Sequence, residues 1–181
     1  MTSGRVIHNL ALVGFMGAGK SSVGQLVAAQ LRFRFVDTDE LIGARAGKTI
    51  PSIFAEEGEP QFREYERAVV DDLQGFHRTV IATGGGLIAN EENLNSLKTH
   101  ALVICLWASP ETIWERVKNQ THRPLLQTPD PLPKIRQLLA EREPFYRRAD
   151  VLVNTEMRSV KEVVHHVIHQ FRLARGHSSH Q

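Results

Sequence analysis

Gly14-Phe15-Met16-Gly17-Ala18-Gly19-Lys20-Ser21 fits the pattern G-x-x-x-x-G-K-[ST], and its neighbours decide what it means. Before it runs the apolar stretch Leu10–Val13; after it Val23, Leu26, Val27 and Leu31 recur at helical spacing. A strand, a glycine-rich loop and a helix, in that order, form the context in which this pattern wraps phosphate. Glycines let backbone N–H groups turn inward, and the helix N-terminus directs its first amides at the anion. On this reading Gly17, Ala18, Gly19, Lys20, Ser21 and Ser22 bind ATP. Lys20 reaches the β- and γ-phosphates and the Ser21 hydroxyl ligates Mg2+.

Further along, Phe33–Val36, Thr79–Ala82, Ala101–Leu106 and Val151–Val153 read as short buried strands. The segments between them are long enough for crossover helices. This rhythm predicts an α/β fold, a parallel sheet with helices on both faces. Ser109-Pro110-Glu111 carries a helix start, and Ser159 with Glu162 matches a capping box. Beyond it Val160, Val163, Val164, Val167, Ile168 and Phe171 form one stripe; Phe62, Tyr65, Val69 and Leu73 form another. Four of the eight prolines fall between Asn119 and Pro133, which predicts an extended loop there. Pro144 is expected to end a helix, and residues 175–181 to form a frayed, disordered tail.

The 181 residues suit one domain, and neither a repeat nor a linker interrupts them. A single cysteine, Cys105, excludes an internal disulfide and suits a reducing compartment. The start lacks a signal peptide's apolar region and no run is long enough to span a membrane, so a cytoplasmic protein is expected. The formal charge of +2 is too small for bulk attraction to nucleic acid or membrane. Yet the basic residues are 16 Arg against 6 Lys. Arginine grips carboxylates and phosphates bidentately, so particular arginines beside an anion are the ones to look for.

An enzyme with this phosphate loop usually has a second acidic contact to the metal, at a strand end. The second apolar run ends in Asp37-Thr38-Asp39. Asp37 is assigned to the metal, through a water, since Mg2+ keeps several. Asp39, pointing the same way in extended chain, either serves as general base for an acceptor hydroxyl or caps the next helix. Gly84-Gly85-Gly86 follows the third run, and three bare residues at a parallel strand's carboxyl end suggest close approach of a ligand. Arg63 lies just off its helix's apolar stripe, with Glu66 one turn on able to orient it. Arg123 sits in the proline-rich loop, and Arg142 precedes Glu143-Pro144-Phe145-Tyr146. Spacing alone leaves each arginine open to a plain surface role, as it does His165, His166 and His169 opposite the valine stripe.

The phosphate loop, Asp37-Thr38-Asp39, FRxxE (Phe62 to Glu66), the glycine triplet, RPLL (Arg123 to Leu126) and R-x-P-F-Y (Arg142 to Tyr146) occur in one order. Together they closely resemble the shikimate kinase family, over about residues 8–171. The resemblance implies a three-layer αβα fold like nucleoside monophosphate kinases, with sheet order 2-3-1-4-5. It implies transfer of the ATP γ-phosphoryl to the 3-hydroxyl of shikimate, a step towards chorismate and the aromatic amino acids. By matching position, Asp39, Arg63, Gly85 and Arg142 hold shikimate, the two arginines clamping its carboxylate, with Gly86 beside them. Arg123 matches a lid arginine over the phosphates, and Arg116 and Arg158 match positions near the adenine. The expected architecture is a single domain with a substrate-binding insertion at residues 38–76 and a lid at 118–133, acting as a monomer. Ser22 departs from the threonine common there. A gluconate-type kinase and a non-catalytic nucleotide-binding module are the alternatives.

Overall fold

Short apolar runs become strands wherever helices can cover both sides of them. In the computed structural model, which describes residues 5–120 and 128–178, the strands are β1 (Asn9–Val13), β2 (Arg34–Asp37), β3 (Thr79–Ala82), β4 (Ala101–Trp107) and β5 (Val151–Asn154). All pair in parallel, in the order β2-β3-β1-β4-β5. Each lies within one residue of the run that predicted it. The helices are α1 (Lys20–Leu31), α2 (Thr38–Ala46), α3 (Ile50–Glu56), α4 (Gly58–Leu73), α5 (Glu91–His100), α6 (Pro110–Val117), α7 (Pro131–Tyr146) and α8 (Val160–Ser178), with a 3-10 turn at Leu87–Ala89.

The two-residue period of a strand divides the core. Leu10, Leu12, Leu102 and Ile104 face Val23 and Val27 of α1 and Val163, Val167 and Phe171 of α8. Ala11, Val13, Val103 and Cys105 face the other layer, through Ile42, Ile53, Phe62, Leu73, Leu94, Ile113 and Ile135. Parallel strands buried on both faces need this continuous apolar character. All five strands therefore end on one edge, where the phosphate loop, Asp37, the glycine triplet and Thr155 emerge. The sheet order reverses at β1, which puts the crevice beside its carboxyl end.

Four expectations need correction. Pro131 and Pro133 lie in the first turn of α7, where missing N–H groups have no helical partner in any case, so the loop stops short of them. Pro144 sits inside α7 instead of ending it; the loss of one late hydrogen bond is tolerated, and Arg147 N still donates to Glu143 O at 2.9 Å. Residues 175–178 continue α8, so the frayed tail does not begin at Arg175. Leu26 is 45% exposed rather than part of the core stripe. The capping box is as expected: Glu162 N donates to Ser159 Oγ and Ser159 N to Glu162 Oε2. Among the described residues no helix is long and apolar enough to cross a membrane.

At the opposite, amino-terminal edge, buried Asn9 pins β1 to its neighbours. Its Oδ1 accepts from Thr79 N, and its Nδ2 donates to Phe76 O and to His100 Nδ1. An amide nitrogen has no lone pair to offer, so His100 must be neutral. Burial, aided by the positive charges of His8, His77 and Arg5, lowers its pKa from 6.5 to about 4. The unfolded chain therefore takes up a proton that the folded chain refuses, and stability falls as pH drops from about 6.5 towards 4, by up to roughly 3 kcal/mol. Thermal unfolding between pH 6.5 and 5 should show this slope, and His100→Gln should flatten it; equal slopes would contradict the assignment.

Candidate active site

Gly14 adopts φ of 137°, and a Cβ there would strike the Leu106 carbonyl, so the phosphate loop rests directly on the end of β4. Lys20 opens α1 and folds back over the loop, donating from Nζ to Gly14 O at 2.9 Å and Phe15 O at 2.8 Å. The ammonium is thereby held above the bed that the backbone amides form. Ser21 Oγ donates to Asp37 Oδ2 at 3.1 Å. Asp37 Oδ1 accepts from Asp39 N at 2.9 Å and so caps α2. Asp39 is thus in the first helical turn, not in extended chain as the sequence suggested. Capping turns the chain helical one residue earlier.

The glycine triplet brings the remaining groups together. A Cβ on Gly84 would lie 2.8 Å from Asp39 Oδ1. One on Gly85 would lie 3.3 Å from an Arg142 terminal nitrogen. One on Gly86 would lie 3.4 Å from an Arg63 terminal nitrogen and 3.6 Å from one of Arg142. A methyl at Gly84 would displace the Asp39 carboxylate, and methyls at Gly85 and Gly86 would sit directly against the two guanidinium groups. The triplet is itself pinned: Gly84 N donates to the buried Thr38 hydroxyl at 2.9 Å, and Gly85 O accepts from the Tyr146 hydroxyl at 2.8 Å. Arg63 is steadied by Glu66 at 2.8 Å and Glu59 at 2.9 Å, and Arg142 stacks over Phe15 at 5.4 Å. Glu66 is 2% exposed, and burial pushes its carboxyl pKa up, opposed by Arg63 and reinforced by the charge of Asp39.

A cleft of about 650 Å³ runs from Gly84 and Gly85 across the phosphate loop to Arg116 and Arg158. Arg116 ties its far end together, donating to Gly17 O, to Thr155 Oγ1 and to Thr155 O. Glu156 fastens the following loop to the start of α6, accepting from Ser109 N at 3.0 Å and Thr112 Oγ1 at 2.7 Å. The Ser109 hydroxyl, then the Thr112 hydroxyl and the Ser109 amide, lower its pKa to about 2. Arg63, Gly86 and Arg142 stand beyond the Gly85 end, so the groups form two adjoining compartments. Arg123 and residues 121–127 of the expected lid lie outside the described residues. Sequence reasoning gave no role to Thr38, Tyr146, Thr155 or Glu156. Thr38 and Tyr146 did lie inside quoted motifs, but Thr155 and Glu156 carry no pattern.

This geometry agrees with what the chain resembles. The family profile described as shikimate kinase matches residues 16–172. A shikimate kinase of Thermodesulfovibrio yellowstonii is 44% identical over 171 residues, spanning 94% of this chain and 99% of the relative. The solved shikimate kinase of Acinetobacter baumannii, in complex with shikimate, superposes with a TM-score of 0.87 at 36% identity, covering 93% of this chain and 95% of that one. That of Aquifex aeolicus gives 0.80 at 40%, covering 91% and 96%. With the described motifs converging on one sheet edge, and relatives matched nearly end to end, the chain belongs to the shikimate kinase family, ATP-dependent phosphotransferases that act on a hydroxyl group of shikimate.

Proposed function

We propose that this chain transfers the ATP γ-phosphoryl to the 3-hydroxyl of shikimate with the following division of labour. The observation that carries it is the meeting of Asp39, Arg63 and Arg142 on one three-glycine wall beside the phosphate loop. Two guanidinium groups side by side suit a carboxylate gripped through several N–H donors. A carboxylate a few ångströms further along suits a hydroxyl of the same small molecule. Asp39 accepts the hydroxyl proton as the oxygen bonds to the γ-phosphorus and the bond to the ADP oxygen breaks. Lys20 and the loop amides stabilise charge on the transferring group, and most of the acceleration comes from positioning and electrostatics.

Ser21 Oγ and Asp37 Oδ2, 3.1 Å apart, are hard oxygen donors of the kind Mg2+ takes. Ser21 would hold the ion directly and Asp37 through water, and the ion would supply positive charge against the phosphates. Arg116 and Arg158 flank the adenine end, with Ser22 in the phosphate compartment. Arg123 joins the proposal by its place in the RPLL motif alone, as does a lid over 118–130. Residues 38–76 form the substrate-binding region. The proposal includes a cytoplasmic monomer acting on two free small anions.

A coupled ADP-release assay tests this: shikimate should stimulate ADP formation, while gluconate does not. Gluconate stimulation without shikimate stimulation would overturn the substrate assignment. Arg142→Ala should raise the shikimate KM about tenfold or more, near 1.4 kcal/mol of lost binding, with the ATP KM nearly unchanged. Lys20→Ala should lower kcat by roughly two orders of magnitude. Gly84→Ala should push the Asp39 carboxylate aside and lower kcat/KM for shikimate about tenfold, while melting within about 5 °C of the parent. Unchanged turnover in Gly84→Ala would remove Asp39 from its assigned place.

A further inference from the structure

The Tyr146 hydroxyl sits against Gly85, the middle residue of the glycine triplet, and no step of the mechanism above uses it. The carbonyls of the glycine triplet are divided among different holders. Gly84 O accepts from Leu87 N, and Gly86 O from Ala89 N, both within the 3-10 turn that follows. Gly85 O accepts instead from a side chain on another element, the Tyr146 hydroxyl at 2.8 Å. Tyr146 is 2% exposed, and its ring packs into the core under the triplet. It follows Arg142 by four residues on α7, so both point from one helix face. Burial raises the phenol pKa to about 12, opposed by the positive charge of Arg142, so the group stays protonated. One hydroxyl therefore pins the Gly85 backbone against which an Arg142 terminal nitrogen lies, 3.3 Å from where a Gly85 side chain would begin.

We infer that Tyr146 is a positioning residue for acceptor binding, its hydroxyl fixing the Gly85 backbone in register with the Arg142 guanidinium four residues earlier on its own helix, so that arginine and wall meet the same substrate carboxylate. The inference rests on the Arg142 clamp proposed above. The register matters because the two come from distant chain segments, the end of β3 and the end of α7, and packing alone positions an arginine with four rotatable bonds poorly. The Phe15 ring steadies one face of the guanidinium, whereas the Tyr146 hydroxyl steadies the Gly85 backbone beside it. No contact with substrate is needed. Tyr146 acts through Arg142 and Gly85, so its effect should appear in acceptor binding and leave the nucleotide compartment alone.

Tyr146→Phe deletes this one oxygen and keeps the ring. It should raise the shikimate KM about three- to tenfold, with kcat lowered less than KM is raised and the ATP KM unchanged. In an Arg142→Ala background the same change should have little further effect on shikimate kcat/KM, because the arginine with which it keeps the wall in register is gone. An unchanged shikimate KM, an equal rise in both KM values, or full additivity with Arg142→Ala would each overturn the inference. If Arg142→Ala itself spares shikimate binding, the clamp reading fails first, and the two failures are told apart. A measurement independent of the variant uses fluorine NMR. In Tyr65→Phe protein labelled with 3-fluorotyrosine, residue 146 is the single reporter, since the chain has two tyrosines. Shikimate should shift its resonance and Mg-ATP alone should not; no shift on saturation with shikimate would overturn the inference.

Discussion

Three consecutive Cα positions without side chains, Gly84 to Gly86, are the constraint on which the acceptor side of this enzyme depends. Against them rest Asp39 from α2, Arg63 from α4 and Arg142 from α7, each at a distance that a single methyl group would contest. Three helices far apart in sequence are thereby brought to one surface. A bare strand end costs conformational entropy, and hydrogen bonds to the loop offset it. Leu12 O accepts from Thr83 N, Thr38 holds Gly84 N, and Tyr146 holds Gly85 O.

The sheet supplies the rest of the placement. Because β1 lies between β3 and β4, the phosphate loop leaves the sheet directly beside the triplet, and Gly85 lines the cleft over that loop while also lying against Arg142. Charge is arranged accordingly. On the acceptor side Arg63 is balanced by a buried glutamate, which limits the freedom of its guanidinium without burying it. Arg116 spans from the phosphate loop to Thr155 just beyond β5, so the two ends of the cleft are coupled through one side chain. The overall charge of +2 reveals none of this, since the working charges are local and few.

How much of this the sequence carried differs by element. Strands were legible because runs such as Ala101–Leu106 are apolar on both faces, and the phosphate loop because its glycines and lysine recur at fixed spacing for a backbone reason. Asp37 was legible as the acid at a strand end. Its capping of α2 was not, because a cap and a metal-side acid use the same residue type at the same place. The meeting of Arg63 and Arg142 was beyond any spacing argument, since residues 79 positions apart meet only through the fold; the family resemblance supplied it. Thr155 and Glu156 escaped notice because each works through a backbone group or a neighbouring cap. The prolines misled for two reasons: Pro131 and Pro133 lie in a first helical turn, where no N–H is needed, whereas Pro144 lies in the last turn, where one lost hydrogen bond is tolerated.

The central claim is that the glycine wall exists to present two arginines to a carboxylate. The most direct test is to compare turnover of shikimate with that of its carboxamide, which keeps the ring and every hydroxyl but carries no charge. The arrangement predicts that kcat/KM for the carboxamide falls by about two orders of magnitude, mostly through KM, as loss of a charge-assisted bidentate contact would give. Equal kcat/KM for acid and amide would contradict it.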